Sequence, residues 1–186
     1  MAAAIERDAE GQRALLAGDR EAARAALRSA ADLYRRSWDE APPRSYGRLV
    51  GMLKSSILAD EAASGADYVR KALASDENAS GSPTASYARA LAALVAGDDD
   101  DARRWSAAMA TGSDAFERTS RTIAALAQRD ERAYGAALRE IVLDFEQRQG
   151  HLTGVAIADT AVMLERLAAD RGMTSGMRSP LLPAAT

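Results

Sequence analysis

The chain has no cysteine among its 186 residues. Disulfides, thiol nucleophiles and thiolate metal sites are therefore excluded. It has one histidine, His151. A nucleophilic Ser-His-acid group would depend on that residue alone, and no Gly-x-Ser-x-Gly turn presents a serine to it. A transition-metal site normally takes two or more His or Cys ligands, and His151 with Asp159 and Glu165 makes a poor set. Neither a metal nor a cofactor is expected, and no catalytic residue stands out. Phe, Trp and Tyr together reach only 5%, which argues against sheets. The formal net charge is −3, so the basic excess that displaces counterions from nucleic acid is missing. No apolar run approaches the ~18 residues of a membrane span. The opening "MAAAIERDAEGQR" lacks the basic segment of a signal peptide. A cytoplasmic protein with no membrane or nucleic-acid partner is the expectation.

What is abundant is alanine, at 44 positions, the strongest helix former and small enough to let helices approach closely. Periodicity predicts about nine helices, near 3–17, 20–38, 45–60, 65–75, 84–96, 99–110, 113–128, 131–148 and 153–171. In the second, Ala23, Leu27, Ala30 and Tyr34 recur at helical spacing, with Arg24, Arg28, Asp32 and Arg35 opposite. "APPRS" at 41–45 breaks the chain because proline cannot continue a helix. "ASDENASGSPT" at 74–84 is the longest loop-like stretch and the best candidate for a mobile one. Of 24 basic residues only Lys54 and Lys71 are lysines, a bias that reads as genomic composition rather than recognition chemistry.

One device recurs: a helix ends in a small polar turn and the next begins at once. It is seen in "LLAGDREAARAAL", "LVAGDDDDARRWS" and "LAQRDERAYGAAL", and more faintly in "LADEAASGADYV". Taking Gly18, Ala59, Gly97 and Arg129 as equivalent, the units fall in the length range of stacked helix-turn-helix repeats. Asp19, Asp98 and Asp130 are placed to cap the helices that follow, and the acids behind them favour the positive end of the helix dipole. That explains Asp98–Asp101 without calcium, whose loop would need a Glu where Met109 stands.

"LLAGDREAARAALRSAA" resembles the tetratricopeptide repeat, with Gly18, Ala23, Leu27 and Ala30 at its turn, small, large and small positions. The later units keep Gly97 and Ala102, with Trp105 beside the large position, then Tyr134 and Leu138, and in the second unit Tyr68. This resemblance spans most of the chain and implies antiparallel helix pairs stacked into a superhelix. It brings no peptide-binding residues with it.

Residues 151–164, "HLTGVAIADTAVML", stand apart. Asp159 is the only charged residue of 153–164, and a helix apolar all round is buried on more than one side. The ninth helix is therefore expected at the centre of the fold or of an interface. A buried carboxylate needs a partner, and Arg121, Arg132 or Arg139 is the expected one. Thr153 reads as an N-cap, His151 as a residue at the helix entrance and Gly172 as a left-handed C-cap.

The run "GHLTGVAIADTAVMLERLAADRGM" followed by "SPLLP" resembles the C-terminus of all-α immunity proteins of bacterial polymorphic toxin systems. That resemblance covers about 55 residues and implies a small cytosolic protein that neutralises a partner. The reading as a whole is an all-α domain over 1–172 with an irregular tail over 173–186. Its leading function is a non-catalytic scaffold that binds another protein or a second copy of itself. Tyr34, Trp38, Tyr46, Tyr87 and Trp105 are its candidate anchors. A toxin-neutralising protein is one alternative. The other is a small-molecule binder or enzyme using His151, Thr153 and Asp159, with Trp105 and Tyr34 as further candidate binding residues.

Overall fold

Asp19, Asp98 and Asp130 each start a helix as their positions require. Their carboxylates accept from the backbone N–H of Ala22, Asp101 and Ala133 at 2.9–3.0 Å. The turns before them are also one structure repeated. Gly18, Gly97 and Arg129 are left-handed, at φ 76°, 76° and 55°, and the next residue's N–H returns to the carbonyl of Ala14, Ala93 and Ala125. The fainter fourth unit does the same one residue later than expected. There Asp60, not Ala59, is left-handed (φ 62°), and Glu61 N–H reaches Ser56.

The computed structural model describes residues 1–184, which hold nine α-helices and no strand. They are α1 (Ala2–Ala17), α2 (Arg20–Asp39), α3 (Gly47–Leu58), α4 (Ala62–Ala74), α5 (Pro83–Ala96), α6 (Asp99–Met109), α7 (Asp114–Ala127), α8 (Glu131–Glu146) and α9 (Asp159–Ala169). The loop at 74–84 contains one 3-10 turn, Glu77–Ala79. Asp76 accepts there from Tyr46 Oη at 2.9 Å. No helix among the described residues is long and apolar enough to cross a membrane.

Each helix packs on the next, and the alternate helices α3, α5 and α7 also touch in succession. The most enclosed element is α5, in which every residue from Ala85 to Leu94 except Arg89 is buried. Its alanines leave little side-chain bulk to hold neighbouring axes apart. The centre of the fold is thus α5, and α9 lies to one side of it against α3 and α8. Even so, no residue from Asp159 to Ala168 is exposed.

Residues 153–158 are not helical, contrary to the reading that carried the ninth helix back to Thr153. Gly154 is left-handed at φ 72°, and the chain then runs without helix to Ala158. Val155 and Ile157 point inward onto Ala9 with Leu15 and Leu16 of α1, while Ala156 faces out. The two inward residues flank a γ-turn, Ile157 N–H donating to the Val155 carbonyl at 2.9 Å, and in so short an apolar run such a path is indistinguishable from helix by composition. The tail over 173–184 has no regular structure. It lies on the core through Met173, Met177, Leu181 and Leu182, and the Leu181 carbonyl accepts from Ala158 N–H at 2.9 Å.

Candidate functional site

The non-helical segment before α9 closes one wall of a cavity of about 270 Å³ whose other walls come from α1, α3, α5, α7, α8 and the start of α9. His151, Thr153 and Asp159 all line it. They meet there because the chain turns at Gly154, not because they share a helix face. Thr153 does not cap α9; its hydroxyl donates to Gln12 Oε1 on α1.

Asp159 has its partner, and it is a lysine. Lys54 Nζ on α3 donates to Asp159 Oδ2 at 2.5 Å and to Thr160 Oγ1 at 3.2 Å. None of the three expected arginines pairs with Asp159, and Arg121 instead bridges to Glu140 across α7 and α8. The side chains of Lys54 and Asp159 are only 17% and 24% exposed. Burial pulls the Lys54 ammonium toward its neutral form. The Asp159 charge leads the groups that oppose this, Asp8 and Tyr87 among them, and the net direction is upward. Lys54 is thus held as a cation.

Behind this pair sits Asp8 of α1, which accepts from Tyr34 Oη at 3.2 Å and Gln12 Nε2 at 3.1 Å. Burial pushes its carboxyl up from 3.8 to about 6, with the Asp159 charge adding to the rise. The Lys54 charge and the two hydrogen bonds counteract it. Asp8 and Tyr34 line a second, smaller cavity of about 120 Å³ on which Lys54 and Asp159 also open. The ion pair is a wall common to both cavities.

Tyr87 and His151 border the larger cavity, but Tyr87 Oη and His151 Nδ1 are themselves turned away from it, buried with no hydrogen bond of ordinary geometry among the described residues. Tyr87 comes from the enclosed α5 and is 8% exposed. Burial pushes its phenol up, and the Asp159 charge adds to the rise, against the Lys54 charge and the neighbouring Thr160 hydroxyl. The His151 ring stacks on Phe145 of α8 at 6.0 Å. Also on the cavity wall, Asp144 accepts from Arg118 Nη2 at 2.5 Å and from Arg148 Nη2 at 2.6 Å. Phe116, Ile141, Phe145, Val155 and Ile157 supply its apolar surface. Among the described residues no three His, Asp or Glu side chains converge closely enough to hold a metal ion.

Of the other candidates, Tyr87 and Tyr34 border the two cavities, whereas Tyr46, Trp38 and Trp105 fall elsewhere. Tyr34, Tyr46 and Tyr87 are buried, whereas Trp38 and Trp105 are half-buried. Trp105 lies between the guanidiniums of Arg89 and Arg104, 4.6 and 4.7 Å from its ring centroid. It belongs to a groove beside α4 and α5, not to the cavity. Sequence reasoning did not single out Lys54 as a site residue, although a signal exists. It is the only charged residue between Arg48 and Asp60, the same anomaly that marks Asp159. Comparison with protein families, with curated proteins and with solved structures finds no match to this chain.

Proposed function

We propose that this protein binds a small organic molecule in the cavity walled by α5, α7, α8 and the 147–158 segment, and holds it without transforming it. The observation that carries the reading is the cavity itself, about 270 Å³ lined by apolar Phe116, Ile141, Val155 and Ile157 beside the ion pairs Lys54–Asp159 and Arg118–Asp144. Ligand sites combine such an apolar lining with a few placed polar groups.

Binding without catalysis is the reading that the engagement of the polar groups supports. Lys54 is a cation locked to Asp159, whereas an amine nucleophile must be neutral. Asp144 is tied to two arginines. Methyl spectra of Ile141, Val155 and Ile157 during a fragment screen test the proposal. Fragments are expected to shift these three residues in the natural chain and to lose that effect in Ala115→Trp, which plugs the mouth. A screen in which no fragment moves them, or in which the plug makes no difference, overturns it.

A second reading, protein binding by the stacked helices, draws on Trp105, which stays half-exposed between two guanidiniums as interface aromatics often do. The partner would be another protein or a second copy of the chain. Loss of capture or self-association in Trp105→Ala would support it. The toxin-neutralising form of that reading rests on the C-terminal resemblance alone.

A further inference from the structure

Two carboxylates and one ammonium share the wall of the smaller cavity. We infer that Asp8 of α1 and Asp159 of α9 compete for Lys54, so that the proton on Asp8 acts as a switch for the start of α9. While Asp8 carries its proton, the ammonium belongs to Asp159 and Thr160. When Asp8 ionises, the ammonium is drawn toward it and its hold on α9 weakens. The switch needs no ligand and stands apart from the small-molecule reading.

The groups that face Asp8 come from four helices. Asp8 and Gln12 lie on α1, Tyr34 on α2, Lys54 on α3 and Asp159 on α9, and all five border the cavity of about 120 Å³. Asp8, Lys54 and Asp159 are the only charged side chains on its wall among the described residues, and Met1, which carries the amino terminus, borders it as well. With both acids ionised, these three side chains carry one negative charge that no side chain on the wall matches. In so enclosed a place, neighbouring carboxylates resist ionising together and titrate as a coupled pair.

Hydrogen bonding decides which acid keeps the proton. Asp159 accepts from the Lys54 ammonium at 2.5 Å and from the Thr160 backbone N–H at 2.7 Å. A charged donor and a backbone N–H both favour the carboxylate form. Among the described residues Asp8 accepts only from neutral donors, Tyr34 Oη at 3.2 Å and Gln12 Nε2 at 3.1 Å. Burial raises its carboxyl to about 6, so Asp8 is the acid that gains a charge as the pH rises through that value. Lys54 can answer that charge. Its stem is long and flexible, and of its three N–H groups two are given, to Asp159 and Thr160. The start of α9 is sensitive to the loss, because Ala158 at the N-cap makes no side-chain hydrogen bond and Lys54 ties this end to α3. The same pair borders the larger cavity, whose wall shifts with it.

The chain's only lysines are Lys54 and Lys71, so the full chain labelled at lysine gives two sets of side-chain signals. Lys71 of α4 is exposed and serves as the reference. Between about pH 4 and about pH 8 the Lys54 signals should shift with a midpoint near pH 6, while those of Lys71 stay in place. Over the same range the nuclear Overhauser contact between the Lys54 ε-methylene and the Thr160 methyl should be lost, and one to the Tyr34 ring should appear. In Asp8→Asn, which cannot ionise, Lys54 should keep its Thr160 contact throughout. A Lys54 signal that does not titrate in this range overturns the switch. So does a Thr160 contact that persists at the alkaline end in the natural chain, or the same change of partner in Asp8→Asn.

Discussion

Asp8 is the titrating residue to watch in this molecule. Its carboxyl goes from an ordinary 3.8 to about 6 because burial disfavours the charged form more than Lys54, Tyr34 and Gln12 favour it. The folded state therefore holds this proton more tightly than the unfolded chain does. Its contribution to stability is complete below about pH 3.8 and is lost as the pH rises through about 6, up to about 3 kcal/mol in all. Asp8→Asn removes the ionisation. Relative to the natural chain, the variant should gain stability steadily from about pH 4 to about pH 7, by urea unfolding at each pH. A parallel pair of stability curves would show that Asp8 does not titrate in this range. The ion pair on the cavity wall is a different case, since the neighbouring carboxylate holds Lys54 as a cation. Lys54→Met should cost about 3 kcal/mol because it strands the Asp159 charge in a largely dry site. Adding Asp159→Asn to it should recover more than half, a coupling that a double-mutant cycle measures directly. The charge anomalies that flag Lys54 and Asp159 were both legible in sequence. Their pairing was not, because 105 residues separate them and an arginine on a neighbouring helix satisfies the same rule on paper.

The helices themselves were legible because their signals are local. The three Asp caps and the left-handed turns at Gly18, Gly97 and Arg129 depend on residues within one turn of each other. Helix crossings do not share that property, and two glycines show the contrast. A Cβ on Gly11 would come within 2.5 Å of Leu27 Cγ where α1 crosses α2. A Cβ on Gly135 of α8 meets nothing within 4 Å. Helix propensity favours alanine over glycine by about 1 kcal/mol at either site. Gly135→Ala should therefore stabilise by about 0.5–1 kcal/mol, whereas Gly11→Ala should destabilise by about 1–3 kcal/mol through overpacking. Thermal melts of the two variants should move in opposite directions. The start of α9 was misread for a related reason. Six small and apolar residues from Thr153 to Ala158 fit a helix as well as the turned, non-helical path that they take. The surface of α1 against which Val155 and Ile157 alternate decided for the second.

Across the whole molecule, the C-terminal segment ties the cavity together. The Leu181 carbonyl holds Ala158 N–H just ahead of α9, and Met177, Leu181 and Leu182 rest on the core. Ending the chain after Thr174 should lower the melting temperature by about 5 °C or more. It should also speed amide exchange at Ala158 and weaken any ligand seen in the cavity. Unchanged exchange at Ala158 would mean that the tail only covers the core. By itself, the sequence determined the all-α class, the succession of helices, their caps and repeated turns, and the need of Asp159 for a cation. Each of these follows from composition or from interactions within a few residues. Only the tertiary structure decided that the cation is Lys54, that α5 rather than α9 is central, and that His151, Thr153 and Asp159 border one cavity. Those outcomes depend on which of several equally apolar surfaces come to rest against each other, and in a chain so rich in alanine the local pattern hardly distinguishes one such surface from the next.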